Sequence, residues 1–555
     1  MNDKLFVIAI GGTGMRCLES FVHLCAIGMF DGQEIDILTI DTDSGNGNKD
    51  RSEKLIALYN DIKTPSKDKI GGTPNRQTFF SAKLNLYKFS TDYAGNRCSF
   101  RNLANIGDED TDNQDLADLF LDKESVQKFD LAHGYRAQTH LGSMLMYHGI
   151  VEAAKNAQIK GNDAMPAEKD LREFVIKLQD AGAGARVFIF GSVFGGTGAS
   201  SIPVVPRALN DAVKIFSDGN NSLDPENVKF GASLLTDYFK FPNPDTTQKS
   251  KEKVIANSSN FALNSQAALE FYRKDPTVKT YYRRLYHVGW PASMRKDISG
   301  GKLLTGGNDQ KNPCHVVELM CAMAAYDFFT QQELDVEVNA ENMPCYYRTV
   351  EADDAGKFFK FTADSFTKEN ARIFQQKLAQ MFSLANVVLA SEYAAYGKPS
   401  TAKEKYGIQD FISRISDAGD KTYDSLDAND IINIEDYLKM FAFYINTEKQ
   451  QVVRGWLYQI KDSVDGGKFI FRNDAFIQTV ADFKRVAKNP GTIFDDNEAE
   501  KNWAKGGLIS SQYDIFIKGL RQDTQVKQEQ NTSSIKEQFL AYLYNAIRLA
   551  HHFES

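Results

Sequence analysis

Apolar runs ending in glycine or acidic turns alternate with longer stretches of helical spacing as far as Trp290. Leu5 to Ile10 is an apolar run followed by Gly11, Gly12, Thr13 and Gly14, and then by a helix-like stretch from Met15 to Met29. Ile35 to Ile40 is a second apolar run, ending in Asp41, Thr42 and Asp43. Val187 to Phe190 is a third; it leads into Gly195, Gly196, Thr197 and Gly198, and Ile202 to Phe216 continues as a helix. Val228 to Thr236 and Arg284 to Gly289 read as further strands, with a helix over about Lys251 to Arg273 between them. Strand and helix alternating in this way predict a parallel, doubly wound α/β sheet.

Other stretches read differently. Asn46 to Gly72 is polar and turn-rich, periodicity stays weak as far as Asn113, and residues 46–111 are expected to be an insertion or surface loops. Asp112 to Phe129 reads as a helix, a helical run carrying Leu141, Leu145 and Ile150 follows, and Asn156 to Asp170 reads as a loop. The stretch from Asn312 to Thr330 is apolar nearly all round, which predicts a buried central helix with Asn312 among its start signals. Residues 331–520 are expected to form an α+β or mostly helical C-terminal domain, with helices within Lys360 to Tyr393, over Ile431 to Ile445 and over Ala475 to Val486. In 521–555 a polar linker leads to an amphipathic helix, capped by Ser534 and Glu537 and suited to a protein partner.

Composition narrows the function classes. The net charge of −8 argues against a general nucleic-acid surface, which needs clustered Lys and Arg. No apolar stretch approaches the roughly 18 residues of a membrane span, and the N-terminus shows no signal-peptide pattern; a cytoplasmic protein is expected. The six cysteines form no CxxC pair, and most read as reduced core thiols. His133, His140 and His148 lack the spaced partners of a zinc site.

The chemistry lies in the glycine loops. A strand, a glycine turn and a helix start point free backbone N–H groups at an anion. One such loop is a weak signal, because many only close a tight turn; two copies of GGTG suggest two walls of one phosphate site. No GxxxxGK[ST] is present, so the lysine of a P-loop NTPase is missing. Arg136, in the loop before a helix, is a candidate contact for a terminal phosphate.

Taken together, the loop at Leu5 to Arg16, the strand ending at Asp43, GYRAQTHLG at Gly134 to Gly142 and FGGTGAS at Phe194 to Ser200 resemble the nucleotide loops of the tubulin/FtsZ superfamily. SLLTDYFKFP at Ser233 to Pro242 is similar to the loop after the fifth strand in its bacterial members, and NPCHVVELMCAM resembles the central helix of tubulins. The resemblance spans about residues 1–335: a nucleotide domain over 1–311, with a central helix over 312–330. Phe194, Ala199 and Ser200 depart from the family's usual GGGTG[ST]G, which points to a divergent bacterial or phage branch.

The resemblance implies GTP or GDP as ligand, with Mg2+, and head-to-tail self-association into filaments. It implies that Gly11, Gly12, Thr13, Gly14 and Met15 on one side, and Gly195, Gly196, Thr197, Gly198 and Ala199 on the other, hold the phosphates. Asp43 would lie near a magnesium-bound water, Gly134, Tyr135, Arg136 and Ala137 near the γ-phosphate, and Asn312 at the guanine; a helix cap is the plain alternative for Asn312. Hydrolysis of GTP to GDP and phosphate needs an acidic residue from the neighbouring subunit. The family's usual string is not recognisable after Phe329, which leaves Glu333, Asp335 and Glu337 as candidates. Two other readings stay open: a non-polymerising nucleotide-binding scaffold with partners on its helical C-terminal half, and an NAD-dependent oxidoreductase. The latter lacks GxGxxG spacing and leaves the second loop without a role.

Overall fold

The computed structural model describes residues 4–30, 32–43, 45–63, 78–90, 112–122, 126, 135, 139–240, 258–297, 312–332, 334, 345–349, 351–352, 359–361, 368–388, 408–417, 419–442, 444–446, 452–463, 469–471 and 534–550. Seven strands form the main sheet: β1 (Lys4–Ile10), β2 (Glu34–Ile40), β3 (Lys83–Phe89), β4 (Ala185–Ser192), β5 (Lys229–Leu235), β6 (Tyr282–Val288) and β7 (Cys345–Arg348). Their order is β3-β2-β1-β4-β5-β6-β7, and every neighbouring pair is parallel. Strands β1, β4 and β5 are buried along nearly their whole length, as a sheet covered on both faces requires.

Helices cover both faces of the sheet. One face carries α1 (Gly11–Ala26), α2 (Gly47–Lys63) and the central helix α7 (Val316–Thr330); the other carries α3 (Thr139–Lys160), α4 (Pro166–Ala181) and α5 (Val205–Phe216). A further helix, α6 (Phe261–Lys274), precedes β6. In α7 every residue from Val316 to Phe329 is buried, as its all-round apolar sequence predicts. Gly14 sets how closely α1 lies on the sheet: a Cβ there would fall 2.5 Å from the Phe190 carbonyl oxygen.

The core on the α1 side continues into the C-terminal helices α8 (Lys368–Val388), α9 (Ala428–Ala442), α10 (Trp456–Ser463) and α11 (Ile535–Ala550). His23 on α1 lies among Tyr437, Phe441 and Trp456, and the Trp456 indole donates to Ser20 Oγ at 3.0 Å. Phe539, Leu540, Tyr542, Leu543 and Tyr544 of α11 are buried against the chain itself. Lys536 donates to the Asp61 carbonyl and to Asp430, and Ser534 caps the helix by accepting from Glu537 N–H at 3.2 Å. Among the described C-terminal residues the helices are joined by short strands: Glu351–Ala352, Phe359–Phe361 and Phe469–Phe471 in one small sheet, Tyr444–Asn446 and Val452–Arg454 in another.

Several expectations are corrected. Residues 46–111 are not simply an insertion, because α2 and β3 are integral to the fold. Leu55, Ile56, Tyr59 and Ile62 give α2 a narrow apolar stripe that its many charges obscure, and β3 is a half-buried end strand. Asn156 to Asp170 is not a loop: α3 runs to Lys160, and α4 starts at Pro166, with Glu168 accepting the Met165 N–H at 2.8 Å. The four buried apolar residues of α4, Leu171, Phe174, Val175 and Leu178, stand in helical spacing among charged residues. The helix expected from Ala199 on through Phe216 starts as expected, within the short helix Thr197–Ser201, but is broken around Pro203 and resumes at Val205. Central helix α7 is capped by His315, whose Nδ1 accepts the Val317 N–H, and not by Asn312. The helix expected over Ala475 to Val486 and the linker before α11 lie outside the described residues. Among the described residues no helix is long and apolar enough to cross a membrane.

Candidate nucleotide site

Strand order reverses between β1 and β4, and the crevice outside the carboxyl ends of these strands is where open α/β sheets bind ligands. Both GGTG loops leave the sheet there. Residues Ala9 and Phe190 are register partners, which brings Gly11 beside the turn after β4. Gly11 has φ of +66°, a conformation that favours glycine, and a Cβ on it would fall 3.1 Å from Thr197 Cβ. The two loops therefore touch.

Within each loop the glycines do different work. Gly14 and Gly198 are packing glycines: a Cβ at Gly198 would fall 2.6 Å from the Ser192 carbonyl oxygen. Gly12, Thr13, Gly195, Gly196 and Thr197 are the partly exposed members, and so face the crevice. Met15 and Ala199 are buried behind them. No side chain caps the start of α1 or of the Thr197–Ser201 turn, and α1 has no acidic residue in its first turn. The start of a 16-residue helix with its first amides uncapped carries a partial positive charge.

The loop after β2 supplies the third wall. Ile10 pairs with Ile40, so Asp41 stands at the level of Gly11 on the neighbouring strand. Asp41 Oδ1 accepts the Asp43 N–H at 3.1 Å, and Asp43 Oδ1 accepts the Gly45 N–H at 3.1 Å. Asp41 Oδ2 and Thr42 Oγ1 are buried and have no partner among the described residues. Burial, with the charge of Asp43 beside it, pushes the Asp41 carboxyl up to about 7, against the Asp43 N–H and Lys49. The family resemblance singles out Asp43; the unengaged oxygens belong to Asp41 and Thr42.

Of the remaining expected site residues, Tyr135 is buried next to Gly142 and the second loop: a Cβ on Gly142 would fall 2.5 Å from its ring and 2.8 Å from Ser200 Oγ. Gly134, Arg136, Ala137, Glu333, Asp335 and Glu337 lie outside the described residues. Asn312 is held by its backbone at the first turn of α2, three residues ahead of the His315 cap.

Beneath the first loop lies a buried ionic network. The Arg16 guanidinium donates to both oxygens of Glu318, at 3.3 and 2.9 Å, and to Glu19 at 2.5 Å. Arg51 Nε donates to Glu19 at 2.9 Å, and Tyr238 OH to Glu318 at 2.8 Å. Two guanidinium groups face two carboxylates, so the charges cancel; burial raises the Glu19 and Glu318 carboxyls, with Arg16 opposing. The network ties α1, α2, the turn after β5 and the start of α7 together. Its sequence signal is a charge inside an apolar stretch: Arg16 within MRCL, and Glu318 within VVELM. Such charges need buried partners. Among the described residues no cluster of His, Cys, Asp and Glu is large enough to hold a metal ion unaided. Comparison of the sequence with models of known protein families and with curated proteins finds no match.

Proposed function

We propose that the chain is a guanine-nucleotide-binding protein of tubulin/FtsZ type that assembles head to tail and hydrolyses GTP at the subunit contact. The observation that carries nucleotide binding is the contact between the two GGTG loops at the strand-order switch, Gly11 against Thr197. A dinucleotide oxidoreductase shares this switch point but leaves the second loop idle. Gly12 and Thr13 present amides from one side, and Gly195, Gly196 and Thr197 from the other.

Asp41 and Asp43 place carboxylates beside a site built for anions, an arrangement that repels a bare polyphosphate. The unengaged Asp41 Oδ2 and Thr42 Oγ1 are hard oxygens that fit a magnesium ion, which usually takes one or two carboxylates plus phosphate oxygens. When bound, magnesium supplies positive charge that neutralises the phosphates. Assembly and hydrolysis rest on the family resemblance, with the acid supplied by Glu333, Asp335 or Glu337 of the next subunit. A head-to-tail contact that does not close gives an open polymer. The reading in which α11 recruits a partner has less support, since Phe539, Tyr542 and Leu543 of its apolar face are buried against its own chain.

Light scattering with parallel phosphate release tests this reading, using GTP and magnesium with ATP and a Gly196→Trp variant as controls. Scattering that rises with GTP alone and is lost in the variant is the expected result. Scattering that ignores the nucleotide, or silence in both signals, contradicts the assembling GTPase.

A further inference from the structure

The first turn of α2 holds Asn312 at two points. Asn48 Oδ1 accepts the Asn312 N–H at 3.2 Å, and Arg51 Nη2 donates to the Asn312 carbonyl at 3.0 Å. Asn48 and Arg51 stand three residues apart and so share a helix face. Together they engage both backbone polar groups of one residue, which fixes the orientation of its peptide planes. The side-chain amide of half-buried Asn312 makes no hydrogen bond among the described residues.

The clamp is itself anchored. Arg51 Nε is fixed by Glu19 on α1 at 2.9 Å, and the Asn48 N–H donates to Asn46 Oδ1 at 2.9 Å. Asn46 N–H in turn donates to the Asp43 carbonyl at 3.2 Å. The same helix turn therefore borders the acidic loop on one side and carries Asn312 on the other.

We infer that Asn48 and Arg51 are positioning residues that set base selectivity by fixing the backbone of Asn312, so that its free amide meets the edge of a purine base. An amide offers one acceptor and two donors, and reads a heterocycle edge only when its plane is held. Arg51 is assigned no contact with the base; its guanidinium is taken up by Glu19 and the Asn312 carbonyl. It acts through Asn312, and its side chain is about one quarter exposed, so its replacement leaves the core filled. This inference rests on the guanine-nucleotide reading above.

The test is equilibrium binding of GTP, ITP and ATP, each with magnesium, to the full-length protein and to Arg51→Met, Arg51→Lys and Asn48→Ala, with thermal unfolding alongside. ITP lacks the exocyclic amino group of guanine. The native protein is expected to prefer GTP. Arg51→Met and Asn48→Ala should each reduce the GTP-to-ATP preference by roughly tenfold, the worth of one directed hydrogen bond. Arg51→Lys should restore part of it. ATP affinity, which reports the phosphate contacts alone, should change by less than about twofold. A uniform loss for all three nucleotides is the signature of a merely structural role and overturns the inference, as does unchanged selectivity in both variants. If Arg51→Met does not fold, Asn48→Ala decides alone. A native protein that binds nucleotides without base preference refutes this inference and leaves phosphate binding standing; one that binds none refutes the underlying reading as well.

Discussion

Replacing Glu318 by glutamine should destabilise the protein by about 3–5 kcal/mol, although the side-chain volume hardly changes. Glu318 is fully buried and receives four donors: Arg16 Nε and Nη2, Tyr238 OH and the His315 N–H. Glutamine keeps one acceptor oxygen and turns the other into an NH2 group. If the NH2 faces His315 and Arg16 Nη2, two donors lose their acceptor and cannot rotate away. If it faces Tyr238 and Arg16 Nε, the tyrosine hydroxyl can turn to accept and one Arg16 donor is left unmet. In both cases Arg16 keeps Glu19 but loses its second carboxylate, and an undercompensated buried guanidinium is the main cost. The double variant Arg16→Met with Glu318→Leu removes both members of the pair and leaves Glu19 with Arg51. It should cost less than the sum of the single changes by roughly 1–3 kcal/mol. Chemical denaturation of the native protein, Arg16→Met, Glu318→Leu and the double variant, with Glu318→Gln alongside, followed by Trp fluorescence and circular dichroism, gives the cycle and the single cost. A Glu318→Gln protein within about 1 kcal/mol of the native one, or strictly additive single costs, refutes the network as a cooperative unit.

Other outcomes follow from particular atoms. Gly14→Ala should lower stability by about 1–3 kcal/mol or more in thermal unfolding, because the new methyl meets the Phe190 carbonyl oxygen and the Ala9 backbone, neither of which can yield. Gly161→Asn should cost under about 1 kcal/mol, since Gly161 has positive φ but open space around it, and asparagine tolerates that conformation; equal losses at the two sites would show that α1 does not lie as close to the sheet as described. Acidification should unfold the protein through His23 and His315, both lowered from 6.5 to about 3 by burial, with Arg16 adding for both and Lys296 for His315. Below pH 6.5 the unfolded chain binds more protons than the folded one, so stability is whole above that value and falls as pH drops toward 3. Each histidine should remove about 1.4 kcal/mol by about pH 5.5, while the raised carboxyls of Asp41, Glu19 and Glu318 bind protons first in the folded state and offset much of that loss. A His23→Gln variant whose midpoint falls between about pH 7.5 and 5.5 as far as the native protein's does would contradict this. Asp41→Asn should weaken magnesium-dependent GTP binding more than Asp43→Asn does, because Asp41 carries the unengaged oxygen; the reverse order of affinities, measured by titration with and without magnesium, would restore Asp43 to the role.

Where packing demands one residue type over a whole segment, the sequence is legible. β1, the core of β2 and β4 read correctly because a strand covered on both faces is mostly apolar, and α7 because a helix surrounded by protein is mostly apolar on every side. Segments with one wet face are harder. α2 and α4 bury only a stripe, and their charged residues hide the spacing of Leu55, Ile56 and Tyr59 and of Leu171, Phe174 and Val175. The glycine loops stand out because both positive φ and close backbone approach exclude other residues, as at Gly11 and Gly14. The contacts that complete the site join residues far apart in the chain, such as Arg16 with Glu318 and Arg51 with Asn312. No local pattern encodes such pairs. That Asp41 keeps an unengaged oxygen also needs coordinates, since the sequence does not say which oxygens of two acids two residues apart the loop's own N–H groups occupy.

The most direct measurement is calorimetric titration of GTP, with magnesium, into the native protein and into Gly196→Trp. One saturable site per chain in the native protein, abolished in the variant while its unfolding temperature is kept, is the predicted result. Absence of binding to the native protein, or binding that the tryptophan leaves untouched, would contradict the placement of a nucleotide between the two glycine loops.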